Sequence, residues 1–210
     1  EFANTLNQLA SLETMQEKFD KAVPRFMRCV TLFETLQDSM NKAIALNNLG
    51  YIAEIQHRYT EATTFYQDSL EIFEDLQFMR GIAAIKNNLI VFYGMLGDLD
   101  KAEQYGQESL DLKDKMNDEM GKVITLKNLG DIKLKRKQPQ EALEYYLPAI
   151  TSAISLSALP RLIQVLPGYA ETLQMLRKDV QAKKILEAVL SHPITPPSVR
   201  EKVLALDSNL

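Results

Sequence analysis

The chain is organised around the stretch KAIALNNLGYIAEIQHRYTEATTFYQDSLEIFEDL, residues 42–76. The rest of the sequence repeats this stretch at a shift of 40 residues. A small residue opens the second half of every copy, at Ala22, Ala62, Ala102, Ala142 and Ala182. Five copies at one strict period predict a repeat protein, in which neighbouring units stack and share a continuous core.

Each copy contains two amphipathic segments. In the first half of the quoted stretch, apolar and small residues recur three and four positions apart, at Ala45, Leu46, Leu49, Ile52 and Ala53. The second half repeats this spacing at Ala62, Tyr66, Leu70, Phe73 and Leu76. This spacing places the residues on one stripe of an α-helix. Residues 56–60 leave room only for a tight turn, so each copy is predicted to form a helical hairpin.

The boundaries of the units follow from the period. The predicted repeats cover residues of about 1–40, 41–80, 81–120, 121–160 and 161–193. After Leu190, the sequence SHPITPP cannot continue a helix, and Thr195 followed by prolines signals a new one. We predict a capping helix at about 196–208 that covers the fifth hairpin, which makes residues 1–210 a single domain.

Local signals agree with these hairpins. Asp20, Thr60 and Asp100 stand at one register near the start of the second helices, and each is predicted to cap its helix with a side-chain oxygen. In the third copy, the turn contains Gly97, which is suited to a left-handed backbone. The only cysteine, Cys29, falls where other copies have small residues, so we predict that it is buried.

Composition narrows the class of protein. Apolar residues make up 46% of the chain and charged residues 25%, as in ordinary soluble globular proteins. No apolar run is long enough to span a bilayer, so we expect no membrane association and a cytoplasmic location. The net charge of −4, with Lys and Arg scattered among acidic residues, argues against direct binding of nucleic acid.

The chain begins at Glu1 without Met, so we expect it to be a segment of a longer protein.

These motifs resemble a known family. In the second copy, Asn48-Leu49-Gly50 is followed by Tyr59, Ala62 and Tyr66, and the fourth copy has Asn128-Leu129-Gly130 with Ala142 and Tyr146. This pattern resembles the tetratricopeptide repeat (TPR). The unit of 40 residues is longer than the family's usual unit of about 34. It is similar to the units of kinesin light chains, spindle-orientation adaptors, peptide-sensing bacterial regulators and the sensor regions of maltose-regulator-like signalling ATPases.

The resemblance implies a fold and a general role. The fold is an all-α, right-handed superhelical solenoid of five hairpins plus a C-terminal capping helix. Its first helices form a concave face that holds a protein or an extended peptide. No cap precedes the first hairpin, and self-association through that hairpin is one alternative for the partner.

No motif for catalysis is visible. His57 and His192 are far apart in sequence and Cys29 stands alone, so we predict no metal site and no cofactor. No phosphate-binding loop or nucleophile motif occurs. Glu54 and Asp131 could be imagined as a carboxylate pair, but nothing else marks them as catalytic. We therefore predict that the protein is not an enzyme.

Polar residues recur on the first helices, directly before the Leu-Gly pair. The predicted peptide-binding residues are Asn47, Asn48, Asn87, Asn88, Lys127 and Asn128, with Tyr51 and Asp131 one turn further along. Asn is a middling-to-poor helix former that carries both a donor and an acceptor, so its recurrence requires a reason. Either these side chains bind the backbone of a peptide, or they brace neighbouring helices against one another.

The functional hypothesis is a non-catalytic protein- or peptide-binding module. By analogy with families that use similar units, it is expected to be the sensor or scaffold region of a larger bacterial signalling or transcriptional regulator. The alternatives are a free-standing adaptor that assembles complexes or self-associates, and a regulatory phosphatase-like protein.

Overall fold

A computed structural model describes residues 1–208, and the regular structure in that range is helical. The helices are α1 (Phe2–Met15), α2 (Phe19–Thr35), α3 (Ser39–Ile55), α4 (Tyr59–Asp75), α5 (Met79–Leu96), α6 (Leu99–Lys115), α7 (Glu119–Lys135), α8 (Pro139–Ser155), α9 (Leu159–Met175), α10 (Asp179–Ser191) and α11 (Pro197–Asp207). Consecutive helices pack as pairs, so the predicted all-α fold of repeated hairpins is confirmed.

Turns with a residue in the left-handed region close the helices from α1 to α9. A residue with positive φ follows each of them at intervals of 20, at Glu17, Gln37, His57, Gln77, Gly97, Asn117, Lys137, Ser157 and Arg177. After α3, the N–H of His57 donates to the carbonyl of Glu54 at 2.9 Å, and the N–H of Arg58 donates to that of Ala53 at 2.8 Å. These two bonds are the Schellman C-cap, which satisfies the last carbonyls of a helix. The backbone therefore repeats every 20 residues, which is half the period of the sequence.

The predicted caps of the second helices are wrong. Helices α2, α4 and α6 begin before the predicted residues, so Asp20, Thr60 and Asp100 lie inside the first helical turns. Side-chain caps occur instead one position before α3, α6 and α7, where Asp38, Asp98 and Asp118 each accept a backbone N–H from three residues later. These helices begin earlier in the sequence than predicted, because the Schellman turn requires only a few residues between one helix and the next.

The chain divides into two compact units, Glu1–Phe92 and Tyr93–Leu210. In the first unit, α1 packs against α2, α2 against α3, and α3 against α4. In the second unit, successive helices from α6 to α11 pack against one another, and α7 and α11 also contact α9. The predicted capping helix is therefore present as α11 and lies against the last hairpin.

Small residues allow the helices of a hairpin to approach closely. The alanines at the period of 40 have no exposed surface: Ala22, Ala62, Ala102, Ala142 and Ala182. In the first unit, a Cβ added at Gly50 would lie 2.8 Å from Cδ1 of Tyr66. In the second unit, a Cβ at Gly130 would lie 2.7 Å from Cζ of Tyr146. The glycine of each Leu-Gly pair thus makes room for the tyrosine ring of the following helix.

The predicted burial of Cys29 is confirmed. Its thiol is fully buried and donates to the carbonyl of Ala3 at 3.7 Å. One repeat later, the hydroxyl of Ser69 donates to the carbonyl of Ala43 at 2.7 Å. Burial raises the pKa of the Cys29 thiol, which disfavours the reactive thiolate.

A buried lysine interrupts the apolar core of the second unit. Lys113 occupies the register at which α2 and α4 carry Phe33 and Phe73, and it is 6% exposed. Its ammonium donates to the carbonyl of Gly121 at 3.1 Å and to the hydroxyl of Thr125. Burial lowers the pKa of Lys113 to about 8, although nearby Asp118 opposes the change.

The turns make a stability prediction. Gly97 has φ +83°, and nothing lies within 4 Å of a Cβ built there, so Gly97→Ala adds backbone strain without a clash. We expect this change to lower the free energy of unfolding by about 1 kcal/mol. Gln37 has φ 56° and is exposed, so Gln37→Gly is the reverse change at an equivalent turn and should leave stability equal or higher. Urea unfolding measures both variants, and equal losses from the two changes would contradict the turn argument.

The buried lysine makes a prediction about pH. Between about pH 8 and pH 10, the unfolded chain keeps the proton of Lys113 while the folded chain has lost it, so the stability of the native protein should rise with pH. In Lys113→Met, this pH-dependent contribution to the free energy of unfolding is absent. We expect the variant to be the more stable protein at pH 7 and its advantage to shrink towards pH 10, as measured by unfolding at both values. An advantage that is independent of pH would show that Lys113 keeps its proton in the fold.

Candidate peptide-binding surface

The predicted asparagines of the first unit lie on two neighbouring first helices. Asn47 and Asn48 belong to α3, Asn87 and Asn88 belong to α5, and all four are half-buried. The side-chain amide of Asn88 donates to the side-chain oxygen of Asn47 at 2.8 Å. At this pair, the recurring amides therefore link one hairpin to the next, which is the bracing role that the sequence left open.

Tyr51 lies on the open part of this surface. Its side chain is 46% exposed and follows Asn47 and Asn48 by one turn of α3. It borders a cavity of about 310 Å³ whose other walls come from Thr14, Met15, Glu17, Phe19 and Ile55. Four of the six wall residues are apolar or aromatic, and such a wall favours an apolar side chain as the occupant.

Apart from Tyr51, the residues of this wall were not predicted. Met15 and Phe19 come from the first hairpin, near the end of α1 and the start of α2. Met15 shares its register with Ile55, because the two are 40 residues apart. The 40-residue period thus places an apolar residue at this position in both copies. Exposed apolar side chains at a helix end are nevertheless too common for the sequence alone to identify a cavity.

Glu54 is a structural residue. The hydroxyl of Tyr66 donates to Oε2 of Glu54 at 2.7 Å, and both side chains are buried. Burial raises the pKa of the Glu54 carboxyl, and the bond from Tyr66 opposes this effect. Burial and the neighbouring carboxylate raise the pKa of Tyr66. The pair therefore fastens α3 to α4 below the surface that carries Tyr51.

The predicted residues of the second unit form one connected group on α7. The ammonium of Lys127 lies 2.6 Å from Oδ2 of Asp131, and the hydroxyl of Tyr146 donates to Oδ1 of the same carboxylate at 2.5 Å. Lys127 also donates to the side-chain oxygen of Asn128 at 3.5 Å. Asn128 is only 7% exposed, so a ligand can reach little of its surface. Asp131, like Glu54, is bonded to a tyrosine of the following helix.

Lys127 and Asn128 also line a cavity of about 310 Å³ in the second unit. Its other polar walls come from α9 and α11, with Arg161, Gln164, Ser198 and Lys202. The sequence did not predict these residues, because they belong to the most divergent copy and to the terminal helix. Only the packing of α11 against α9 brings them to the same cavity.

Residues 1–208 contain neither a cluster of metal-binding side chains nor a membrane-spanning helix. In that range, no group of three or more His, Cys, Asp or Glu side chains is arranged to hold a metal ion. None of the helices described is both long and apolar enough to cross a membrane. His57 lies in the exposed turn after α3, with Nδ1 2.8 Å from the hydroxyl of Tyr59.

Comparisons with known proteins agree on the kind of repeat. The sequence profile of the tetratricopeptide repeat matches residues 1–75 and 81–155. No curated protein sequence matches the chain. Among solved structures, BtubC (BKLC) from P. vanneervenii is 20% identical, with a TM-score of 0.76 over 92% of this chain and 83% of that chain.

Two further structures are similar. A STAND signal-transduction ATPase from Pyrococcus horikoshii, which has a tetratricopeptide repeat sensor, is 14% identical with a TM-score of 0.79. This chain matches it over 98% of its own length and 30% of that protein. The apo form of RapI is 12% identical with a TM-score of 0.77, over 90% of this chain and 69% of that one. At these identities, the likeness shows the fold alone.

The bond between the two asparagines makes a prediction about coupling. In a double-mutant cycle of Asn47→Ala and Asn88→Ala, we expect a coupling energy of about 1 kcal/mol, because either change alone leaves a half-buried amide without its partner. Urea unfolding of the two single variants and the double variant measures this energy. The cycle of Asn48→Ala with Asn88→Ala is the matched control and should be close to additive. Additive losses in both cycles would rule out the brace.

Proposed function

Because the chain belongs to the tetratricopeptide repeat family, we propose that it is a non-catalytic module that binds a protein or an extended peptide. The observation that carries this proposal is that first helices line a cavity in each unit, with the aromatic side chain of Tyr51 in the first and the polar side chains of Lys127 and Asn128 in the second. A binding surface needs such a combination, because apolar burial provides affinity and hydrogen bonds fix the orientation of the ligand.

In the first unit, we assign the binding role chiefly to Tyr51 and Asn48. Tyr51 is exposed at the edge of the apolar cavity, where a side chain of the partner can pack against its ring. Asn48 lies one turn before it on α3 and can donate to and accept from a peptide backbone. Asn47, Asn87 and Asn88 lie on the same surface, and the bond between Asn47 and Asn88 holds its two helices in register.

In the second unit, the candidate contacts are Lys127 and Asp131, together with the small part of Asn128 that borders the cavity. The bond from Tyr146 fixes the carboxylate of Asp131, and this carboxylate positions the ammonium of Lys127. A side chain that is already ordered loses little conformational entropy when a ligand binds. Each hydrogen bond contributes only about 0.5–1.5 kcal/mol, so affinity requires several contacts made together.

The wider role that we propose is the sensor or scaffold region of a bacterial signalling or transcriptional regulator in the cytoplasm. The similar fold of a STAND ATPase whose tetratricopeptide repeats are its sensor supports this assignment. In such an arrangement, the module binds a ligand and an attached domain responds. The assignment rests on likeness of fold, and full-length sequence around the chain tests it directly.

The binding proposal is tested by affinity capture from an extract of the source cells. We expect the intact chain to retain a protein that the double variant Asn48→Ala, Tyr51→Ala loses. The matched control is Gln67→Ala, Glu71→Ala, which removes two exposed polar side chains from the second helix of the same hairpin. Thermal unfolding must first show that all three proteins melt alike.

The outcomes are distinct. Loss of the captured protein in the Tyr51 variant, with retention in the control, supports the surface on α3. Equal retention by both variants would contradict the proposed surface. Loss in both variants would place the contact on α4 and likewise overturn the assignment.

A further inference from the structure

The contact between α6 and α7 differs from the other contacts that join one hairpin to the next. In the first unit, α2 packs against α3 through an apolar cluster that includes Phe26 and Phe33. In the second unit, α8 packs against α9 with Tyr146 at the register of Phe26. At the registers of Phe26 and Phe33, α6 carries Gly106 and Lys113. Its contact with α7 therefore lacks the aromatic ring that α2 and α8 bring to theirs.

Buried polar groups occupy the centre of this contact instead. Ser109 of α6 and Thr125 of α7 have no exposed surface, and their hydroxyl oxygens lie 3.4 Å apart. Lys113 lies one turn after Ser109 and is 6% exposed. Leu129 fills the space at Gly106, where an added Cβ would overlap Cδ2 of the leucine. The contact is thus closely packed, but its centre is a hydrogen-bonded cluster where α2 and α3 share apolar surface.

This cluster suits a neutral amine better than an ammonium. An ammonium has three N–H donors. Among residues 1–208, Lys113 bonds to two acceptors, the carbonyl of Gly121 at 3.1 Å and the hydroxyl of Thr125. A neutral amine has two donors, and its lone pair can accept the hydroxyl proton of Thr125. Burial acts in the same direction and lowers the pKa of Lys113 to about 8.

The charged groups around Lys113 do not compensate for its burial. Asp118, the N-cap of α7, raises the pKa of Lys113, but burial outweighs this effect. At the surface, Lys122 lies 2.6 Å from the carboxylate of Asp114 and 3.1 Å from that of Glu119. The part of α5 that belongs to the second unit has no charged side chain. Lys113 therefore becomes hydrated, and holds its proton as an exposed lysine does, only when α6 and α7 separate.

We propose that the contact between α6 and α7 is a proton-sensitive joint, at which the second unit opens locally without unfolding as a whole. The contact is a candidate for early opening because it buries less apolar surface than its counterparts and confines an amine that water would solvate. The proposal does not depend on the proposed function, because it concerns how α7 packs on α6 and not which groups α7 presents to a partner.

The direction of the pH dependence follows from the two states of the joint. The closed joint holds Lys113 with a pKa of about 8, whereas an exposed lysine has a pKa of about 10.4. Between these values, opening takes up a proton, so each rise of one pH unit lowers the opening constant by up to about tenfold. Below about pH 8 the amine is protonated in both states, and the joint opens most readily.

Native-state hydrogen exchange of the whole chain tests the joint. Protection of the amides of α6 and α7 is compared with that of α8 and α9 at about pH 7 and about pH 9, after correction for intrinsic exchange rates. Lys113→Met removes the amine, and Thr125→Val removes one of its acceptors. The matched control is Thr172→Val, which removes a fully buried hydroxyl from α9.

At pH 7, we expect the amides at the joint to exchange at least about tenfold faster than those of α8 and α9. Lys113→Met should slow them to the rate of α8 and α9, whereas Thr125→Val should make them faster. From pH 7 to pH 9, protection at the joint should rise about tenfold relative to α8 and α9, and this rise should be absent in Lys113→Met. Thr172→Val should leave exchange in α6 and α7 unchanged.

Three results would overturn the inference. Equal protection of α6–α7 and α8–α9 in the native protein would show that the joint does not open separately. Equal slowing of all helices by Lys113→Met would show that the lysine affects only global unfolding. Faster exchange at the joint that does not change relative to α8 and α9 between pH 7 and pH 9 would remove the proton from the explanation. The first and third of these comparisons need no variant, so they remain decisive if a substitution prevents folding.

Discussion

The structure depends on one backbone turn used again and again. A residue in the left-handed region follows each helix from α1 to α9 at an interval of 20, and two hydrogen bonds close the turn after α3. Because so few residues separate one helix from the next, neighbouring helices must run back along one another. The turn thus fixes where each helix begins, and this register decides which side chains meet. Most of these positions are not glycine, and other residues disfavour the left-handed conformation. The packing of the helices must therefore offset the free-energy cost of these turns.

Buried polar groups fasten the helices after the turns have set their register. Tyr66 bonds to Glu54 in the first unit, and Tyr146 bonds to Asp131 in the second. A buried hydroxyl or carboxylate without a partner is costly, so each pair favours one arrangement of its two helices. Tyr66 and Tyr146 occupy equivalent positions in their repeats. Their acceptors, Glu54 and Asp131, do not occupy equivalent positions in the preceding helices. The repeats therefore share a backbone while their polar contacts differ.

The surface that we propose for binding consists of groups that this bracing leaves accessible. The amides of Asn47 and Asn88 are bonded to each other, and Asn128 is largely buried. Tyr51, by contrast, is exposed beside an apolar cavity. In the second unit, the helix that covers the last hairpin also completes a cavity with cations from α7 and α9.

The sequence by itself determined the all-α fold, the hairpin repeats, the capping helix and the burial of the alanines and of Cys29. These features follow from periodicity and side-chain size, which are local properties repeated along the chain. It did not determine the helix caps, because Asp20, Thr60 and Asp100 carry the right side chains at positions that the turns place inside the helices. Nor did the sequence show which asparagines brace neighbouring helices and which are available to bind a peptide. Only the tertiary structure decided that Asn88 bonds to Asn47 and that Arg161 and Lys202 border one cavity, since these pairs are 41 residues apart and are brought together by packing.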